Sequence, residues 1–306
     1  MRSTQALAAF SPAELAQRLR TDGVYLRIPP FVMHIRSPIP VVAQGLQALY
    51  PDHDVLTGDD LFADFHVAVK PKRLPWKTVC VFEMDGFRPF TPLAYGEAYA
   101  FLEWGMNWCV TSYCHTWITI HSAVLEKGGR VLILPAPPGS GKSTLCAALM
   151  LSGWRLLSDE MALFDPVSGQ VTPSPRPVSL KNESIEVIRK RAPEASFGPV
   201  ARDTMKGTVA HMRISPDSLA RADQPAPPAW VVFPRFKRDA ALSVVERPKA
   251  SALVELASNS FNHHVHGRTG FQALAALVDG CGCHDLEYSR LDEAIAWFDN
   301  LAAAPA

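Results

Sequence analysis

The sequence lacks an excess of charge of either sign. Its 306 residues contain 30 Lys and Arg against 30 Asp and Glu, so the formal net charge is zero. An overall field that would attract nucleic acid or an anionic membrane is therefore missing. We expect no nucleic-acid partner and no membrane partner, and any basic binding site has to be local.

Long apolar runs and a cysteine framework are also missing. No stretch approaches the roughly 18 apolar residues of a membrane-spanning helix, and the opening MRSTQALAAFSPAELAQRLR lacks the apolar core of a secretory signal. This predicts a cytoplasmic protein. Of the six cysteines only Cys281 and Cys283 are close together, in CGCH. Without a second ligand pair this is a poor zinc motif, and we expect reduced thiols.

The composition suits a protein that folds around a core, since 48% of the residues are hydrophobic and 20% are charged, and 306 residues are enough for one large domain or two ordinary ones. Residues 1–112 alternate short helical and strand patterns without a catalytic cluster. They predict a small mixed α/β module, a candidate for partner recognition. Residues 113–306 carry the chemistry and predict a second, catalytic domain.

The most informative stretch is LILPAPPGSGKST, Leu132–Thr144. It lies between the strand pattern RVLILP and the helix pattern STLCAALMLSG, the order that a phosphate-binding loop requires. Ala136 stands where the usual motif begins with glycine, and Pro137 and Pro138 have no N–H to donate. The predicted nucleotide-binding residues follow them: Gly139, Ser140, Gly141, Lys142, Ser143 and Thr144. A chance glycine-rich turn is the alternative interpretation.

Two adjacent carboxylates follow the loop, because the strand pattern GWRLLSDE ends in Asp159 and Glu160. Near bound phosphates, one carboxylate can accept the proton of an attacking hydroxyl while the other holds Mg²⁺. A solvated strand end is the alternative. Before the loop, His121 lies in the strand pattern of WITIHSAVLEKGG. A lone histidine in a strand is often structural. This strand, however, is joined by a turn to the strand that leads into the phosphate-binding loop, which places His121 beside it.

The order of His121, GGRVLILPAPPGSGKSTLCAAL and GWRLLSDE resembles the catalytic domain of HPr kinase/phosphorylase, and more closely the shorter HPr-kinase-related proteins. The clear overlap covers about residues 117–182. The resemblance implies an α/β fold with a P-loop kinase core, similar to that of phosphoenolpyruvate carboxykinase, behind the small N-terminal module. It implies ATP, Mg²⁺ and a hydroxyl-bearing acceptor, which is a small protein, a peptide or a small molecule.

The resemblance also implies roles for single residues. Lys142 and Ser143, with the two loop glycines, would hold the phosphates and the metal. Asp159 would be the base for the acceptor hydroxyl, and His121 would lie at the active site. Glu160 stands where the family commonly has a second aspartate, so its role as a metal ligand together with Ser143 is a departure from the family pattern.

Basic residues further along the chain are candidates for neutralising the transferred phosphate, and we favour Lys181 and Arg235. A solvated surface cation is the alternative for both. FPRF, Phe233–Phe236, is expected to be irregular. No equivalent of the phosphorolysis loop of the parent enzymes is found, so the sequence predicts a kinase only. The parent family forms hexamers, which makes a homo-oligomer an open expectation.

Two other functions remain open. A P-loop NTPase acting as a switch or an assembly factor would use water as its acceptor, but it commonly places an acidic residue after a later apolar strand. The apolar run PAWVVFP has none at its end. A binding module without catalysis would explain Ala136, yet it would not need Lys142 together with both carboxylates.

Overall fold

The computed structural model describes residues 3–137 and 139–304. The strands of this part of the chain are β1 (Ser3–Ala6), β2 (Val24–Ile28), β3 (Phe31–Arg36), β4 (Asp54–Thr57), β5 (Phe65–Arg73), β6 (Thr78–Met84), β7 (Leu93–Ala94), β8 (Ile118–Lys127), β9 (Arg130–Pro135), β10 (Arg155–Ser158), β11 (Met161–Phe164), β12 (Val171–Thr172), β13 (Val178–Lys181), β14 (Ala201–Thr204), β15 (Gly207–Met212), β16 (Pro228–Phe236), β17 (Ser243–Glu246) and β18 (Gly282–Tyr288).

The α-helices of the same residues are α1 (Pro12–Arg20), α2 (Pro40–Leu49), α3 (Ala98–Tyr113), α4 (Lys142–Leu151), α5 (Glu183–Arg191), α6 (Pro216–Ala220), α7 (Lys249–Ser258), α8 (Gly267–Gly280) and α9 (Leu291–Ala303). The fold is therefore mixed α/β, as the sequence predicts. None of the described helices is both long and apolar enough to cross a membrane.

The chain divides into two compact units. The first comprises residues 1–113 and 179–219, and the second comprises residues 114–178 and 220–306. The break after residue 113 lies one residue from the expected boundary. The segment 179–219 differs from expectation, because it packs with the first unit although the chain reaches it from the second. Val209 and Met212 of this segment are fully buried, and a division drawn along the chain does not anticipate its place in the first unit.

The first unit contains a mixed sheet in the order β1-β4-β2-β3-β5-β6-β7 and a smaller sheet in the order β13-β15-β14. β2 and β3 form an antiparallel hairpin through Pro29–Pro30, and β5 and β6 form a second hairpin. α1 begins with Ser11 as its N-cap, whose hydroxyl accepts from Glu14 N. The unit buries a carboxylate, Glu103, which accepts hydrogen bonds from the hydroxyls of Tyr50 and Tyr99.

The second unit is built on a sheet in the order β12-β11-β8-β9-β16-β18-β17, with β10 also pairing with β8. Its centre is parallel, since β16 pairs in parallel with both β9 and β18. β8 and β9 form the antiparallel hairpin that the sequence predicts. The carboxyl ends of β9, β16 and β18 therefore meet at one edge, where open α/β sheets bind ligands.

The apolar periodicity of the second unit accounts for its core. β8, β9 and β16 place alternate residues, including Val124, Ile133 and Val231, on the sheet face covered by α7 and α8, and Leu256 of α7 packs in the same core cluster. α4 is buried almost all round, and it ends before Gly153, whose φ of +89° stops the helix as expected. One expectation is wrong. FPRF is the end of β16, because its residues continue the parallel pairing with β18 up to Phe236 and Tyr288.

Candidate functional site

The loop between β9 and α4 has the backbone of an anion-binding site. Gly139 and Gly141 have φ values of +88° and +87°, which favour glycine. α4 begins at Lys142, directly after Gly141, so the first turn directs its unpaired backbone N–H groups towards the loop. Pro138 lies outside the described residues.

Ala136 is compatible with this loop. Its side chain is 2% exposed, so it packs in the interior where the usual motif has glycine. A Cβ is a problem mainly where φ is positive. Ala136 is not among the described non-glycine residues with positive φ, which are Asp60, Asp85, Asn182, Asp203 and Asp239. The substitution therefore imposes no left-handed backbone strain.

Two distant strands brace the loop. Phe236 N, at the end of β16, donates to Ser140 O at 2.8 Å. The Tyr288 hydroxyl, at the end of β18, donates to Gly141 O at 3.2 Å. A Cβ on Gly141 would lie 2.7 Å from the Tyr288 oxygen and 2.8 Å from the Cβ of Phe236. Gly141 is thus required both by its φ and by the close approach of these neighbours.

One polar atom of the loop is left for a ligand. Ser140 Oγ is buried and has no hydrogen-bond partner among the described residues. Buried hydroxyls are nearly always paired, so such an atom requires an explanation. A phosphate oxygen bound in the loop would supply the missing acceptor. The hydroxyls of Ser143 and Thr144 belong to residues that are only partly buried, at the start of α4.

The lysine, the histidine and one carboxylate come together as expected. Lys142 Nζ lies 2.9 Å from His121 Nε2, and His121 Nε2 lies 3.8 Å from Glu160 Oε2. An ammonium group only donates, so His121 Nε2 is the acceptor in the first contact. The same nitrogen then has no hydrogen for Glu160, and 3.8 Å is beyond hydrogen-bond distance. The contact of His121 with Glu160 is therefore electrostatic at most.

The second carboxylate has a different environment. Asp159 is 3% exposed, whereas the side chain of Glu160 is 31% exposed. The thiol of Cys146, on α4, is fully buried and hydrogen-bonds to Asp159. Burial, and then the negative charge of Asp159, raise the pKa of Cys146 well above its ordinary value. Cys146 therefore stays a neutral thiol that donates to the carboxylate.

Local hydrogen bonds hold the backbone that carries these side chains. The two carboxylates occupy the break between β10 and β11, where Ser158 Oγ accepts from Glu160 N at 3.3 Å and from Met161 N at 3.2 Å. His121 lies opposite Met161 in the sheet, and its backbone N donates to Asn259 O at 2.8 Å. The site is thus carried mainly by strands and one helix, which position side chains rigidly.

The two favoured downstream cations have different positions. Arg235 precedes Phe236, which bonds to the loop, so it lies at the same sheet edge. Its side chain is 77% exposed, and its guanidinium lies 4.0 Å from Glu287. Lys237 lies closer to Glu287, at 3.1 Å. Lys181 is the last residue of β13 and belongs to the first unit, whereas the glycine loop belongs to the second.

With this geometry established, the chain can be compared with known proteins. No protein-family model matches it, and no curated protein sequence does either.

The donor set near the loop suits magnesium better than a metal held by protein alone. Among the described residues, no group of three or more His, Cys, Asp or Glu side chains is arranged to hold a metal. Mg²⁺ is typically bound by one or two protein oxygens together with substrate phosphates. Ser143 and Glu160 fit that pattern, because they provide a hydroxyl and a carboxylate near the same loop.

The structure adds residues that sequence reasoning missed. Tyr288 and Phe236 support the loop, and Cys146 contacts Asp159. Tyr288 is 147 positions from its partner Gly141, so no local pattern marks it. Cys146 had a usable signal, because it follows Lys142 by one helical turn and so shares a face with it.

Proposed function

We propose that the chain is an ATP-dependent kinase that transfers the γ-phosphoryl group to a serine or threonine hydroxyl. The observation that carries the proposal is the cluster beside the glycine loop, where Lys142 Nζ lies 2.9 Å from His121 Nε2 and His121 Nε2 lies 3.8 Å from Glu160 Oε2. The buried carboxylate of Asp159 precedes Glu160 in the chain. A generic phosphate-binding loop needs only the lysine and the backbone. Transfer to a hydroxyl additionally uses a carboxylate that can accept the proton of that hydroxyl.

In this proposal the second unit is a P-loop kinase core resembling that of HPr kinase and phosphoenolpyruvate carboxykinase. The N–H groups from Gly139 to Thr144 bind the β- and γ-phosphates of ATP, and Lys142 bridges them. Mg²⁺, held by Ser143 and Glu160 together with the phosphates, would neutralise charge on the transferred group. Ser140 Oγ gains a phosphate acceptor.

Asp159 is the proposed base. It accepts the proton of the acceptor hydroxyl as that oxygen bonds to the γ-phosphorus, while the bond to the bridging oxygen breaks and ADP leaves. The Cys146 thiol holds the carboxylate in position by donating to it. His121 keeps Lys142 close to the loop before nucleotide binds.

The first test is nucleotide binding. Calorimetry with ATP and Mg²⁺ should give a binding signal for the unaltered protein and none for Lys142→Ala. Lys127→Ala is a matched control, because Lys127 pairs with Asp299 and is not part of the loop's surroundings. If neither protein binds ATP, or if Lys142→Ala binds normally, the phosphate site is wrongly assigned.

The second test separates the carboxylates and the acceptor. Labelled phosphate from ATP is followed into the products of neighbouring genes, into free serine and into water. Asp159→Asn should abolish phosphate transfer and retain ATP binding. Glu160→Gln should raise the Mg²⁺ concentration at which transfer reaches half its maximal rate. The reverse pattern would exchange the two roles. Rapid hydrolysis without acceptor, unaffected by Asp159→Asn, would refute the kinase and favour an NTPase.

A further inference from the structure

A basic hairpin extends from the large sheet of the first unit. It comprises residues 70–78, where β5 and β6 pair in register from Lys70 and Val81 to Arg73 and Thr78. Its turn is closed by Leu74 N donating to Lys77 O at 2.8 Å. β3, the other neighbour of β5, pairs with it only as far as Ala68. The end of the hairpin therefore projects beyond β3.

The apex of the basic hairpin is apolar and exposed. Trp76 is 90% exposed, the highest value among the described large aromatic side chains. Pro75 beside it is exposed and Leu74 is half-buried. Exposing a whole indole leaves a large apolar surface in water, so such a residue at a projecting apex usually marks a contact surface. Trp76 packs on no described aromatic ring.

The charge of the basic hairpin is of one sign. The run KPKRLPWK, residues 70–77, contains four cations and no acid, in a chain whose total charge is zero. Lys70 pairs with Glu83. Lys72, Arg73 and Lys77 are exposed and make no ion pair with any described residue. These three cations lie just behind the apex, on both sides of Trp76.

This arrangement favours a soft anionic surface over the other anionic partners. Single-stranded nucleic acid is normally bound in a groove with several stacking aromatic residues, and the basic hairpin is convex with one. At a protein–protein interface, an exposed aromatic side chain normally inserts into a pocket of the partner. No feature of the basic hairpin favours a partner with such a pocket. Indole prefers the interface of a bilayer, and cations behind it would meet the lipid headgroups.

We propose that the basic hairpin binds the surface of membranes that contain anionic lipids, with Trp76 in the interface and Lys72, Arg73 and Lys77 against the headgroups. This revises the expectation drawn from net charge, because the charge is local. Each cation near such a surface contributes about a five-fold gain in partitioning. Binding is therefore expected to be reversible and salt-sensitive. The proposal does not depend on the kinase function.

The test is sedimentation of the full chain with vesicles of phosphatidylcholine alone or mixed with phosphatidylserine. We expect binding to the mixed vesicles only, and its loss in high salt. Lys72→Glu/Lys77→Glu should reduce partitioning by at least about 25-fold, and Trp76→Ala should reduce it several-fold. Circular dichroism checks that each variant is folded.

The controls are matched in kind. Arg20→Glu/Lys190→Glu makes the same charge change on exposed residues of α1 and α5, and Phe87→Ala removes another exposed aromatic side chain. Both should bind like the unaltered protein. Absence of binding to the mixed vesicles, or equal losses in the controls, overturns the proposal. It is also overturned if a single-stranded oligonucleotide or polyglutamate binds through the basic hairpin while vesicles do not.

Discussion

Replacing Gly141 by alanine tests the architecture of the loop more directly than any change of a charged residue. The new Cβ meets two obstacles. A φ of +87° costs an L-residue about 1–2 kcal/mol. Alanine at this position has to adopt that φ if α4 is still to begin at Lys142. The Cβ would also lie 2.7 Å from the Tyr288 oxygen and 2.8 Å from the Cβ of Phe236. Overpacking of this kind costs about 1–3 kcal/mol.

We therefore expect Gly141→Ala to lower the free energy of unfolding by about 2–5 kcal/mol, the sum of the two terms. Gly139→Ala is the matched control. Its φ of +88° is the same, but nothing lies within 4 Å of the new Cβ, so only the backbone term of about 1–2 kcal/mol applies.

The measurement is urea unfolding of both variants, with calorimetry of ATP binding as the local readout. Because Phe236 contributes its Cβ, which cannot rotate away, Tyr288→Phe should relieve only part of the cost in the double variant. Equal losses of unfolding free energy in Gly139→Ala and Gly141→Ala would refute the reasoning, because they would mean that Tyr288 and Phe236 move away from the new Cβ at no cost. Normal ATP binding by Gly141→Ala would refute the loop's rigid role.

Three further expectations follow from buried charges and donors. Cys146→Ala removes the thiol that donates to Asp159 and should lower the turnover of phosphate transfer roughly five-fold without changing the ATP affinity. Cys146→Ser should restore the turnover. A loss of ATP binding in both variants would instead indicate a structural role for Cys146. Glu126→Ala should cost about 3–5 kcal/mol in urea unfolding, because Arg155, 2.7 Å away and 3% exposed, loses its buried partner; a cost below 1 kcal/mol would contradict this. Burial alone would raise the pKa of Glu83, but hydrogen bonds from two basic neighbours outweigh it and lower that pKa below 4.5. The stability that these bonds add is therefore present above about pH 4.5 and lost as the pH falls through the lower folded-state pKa. The stability difference between the unaltered protein and Glu83→Gln should shrink below pH 4.5, and a pH-independent difference would contradict the assignment.

The sequence by itself determined those features whose parts are neighbours along the chain. The hairpin of β8 and β9, the glycine loop and α4 follow one another without interruption, and their apolar periodicities and glycines specify each element locally. His121 and the carboxylates could be placed near the loop for the same reason, because His121 lies on the strand that pairs with β9 and the carboxylates directly follow β10, the first strand after α4. The backbone of Ala136 could not be predicted, since alanine is compatible with several φ values.

The tertiary structure alone decided which distant residues complete the site and where the units divide. β16 becomes the neighbour of β9, and β18 the neighbour of β16, only through parallel pairing, which links residues far apart in sequence and leaves no periodic signal. That pairing brings Phe236 and Tyr288 to the loop and makes FPRF a strand. The return of residues 179–219 to the first unit is likewise a matter of packing. Local patterns specify secondary structure, but burial of apolar surface between distant segments selects their partners.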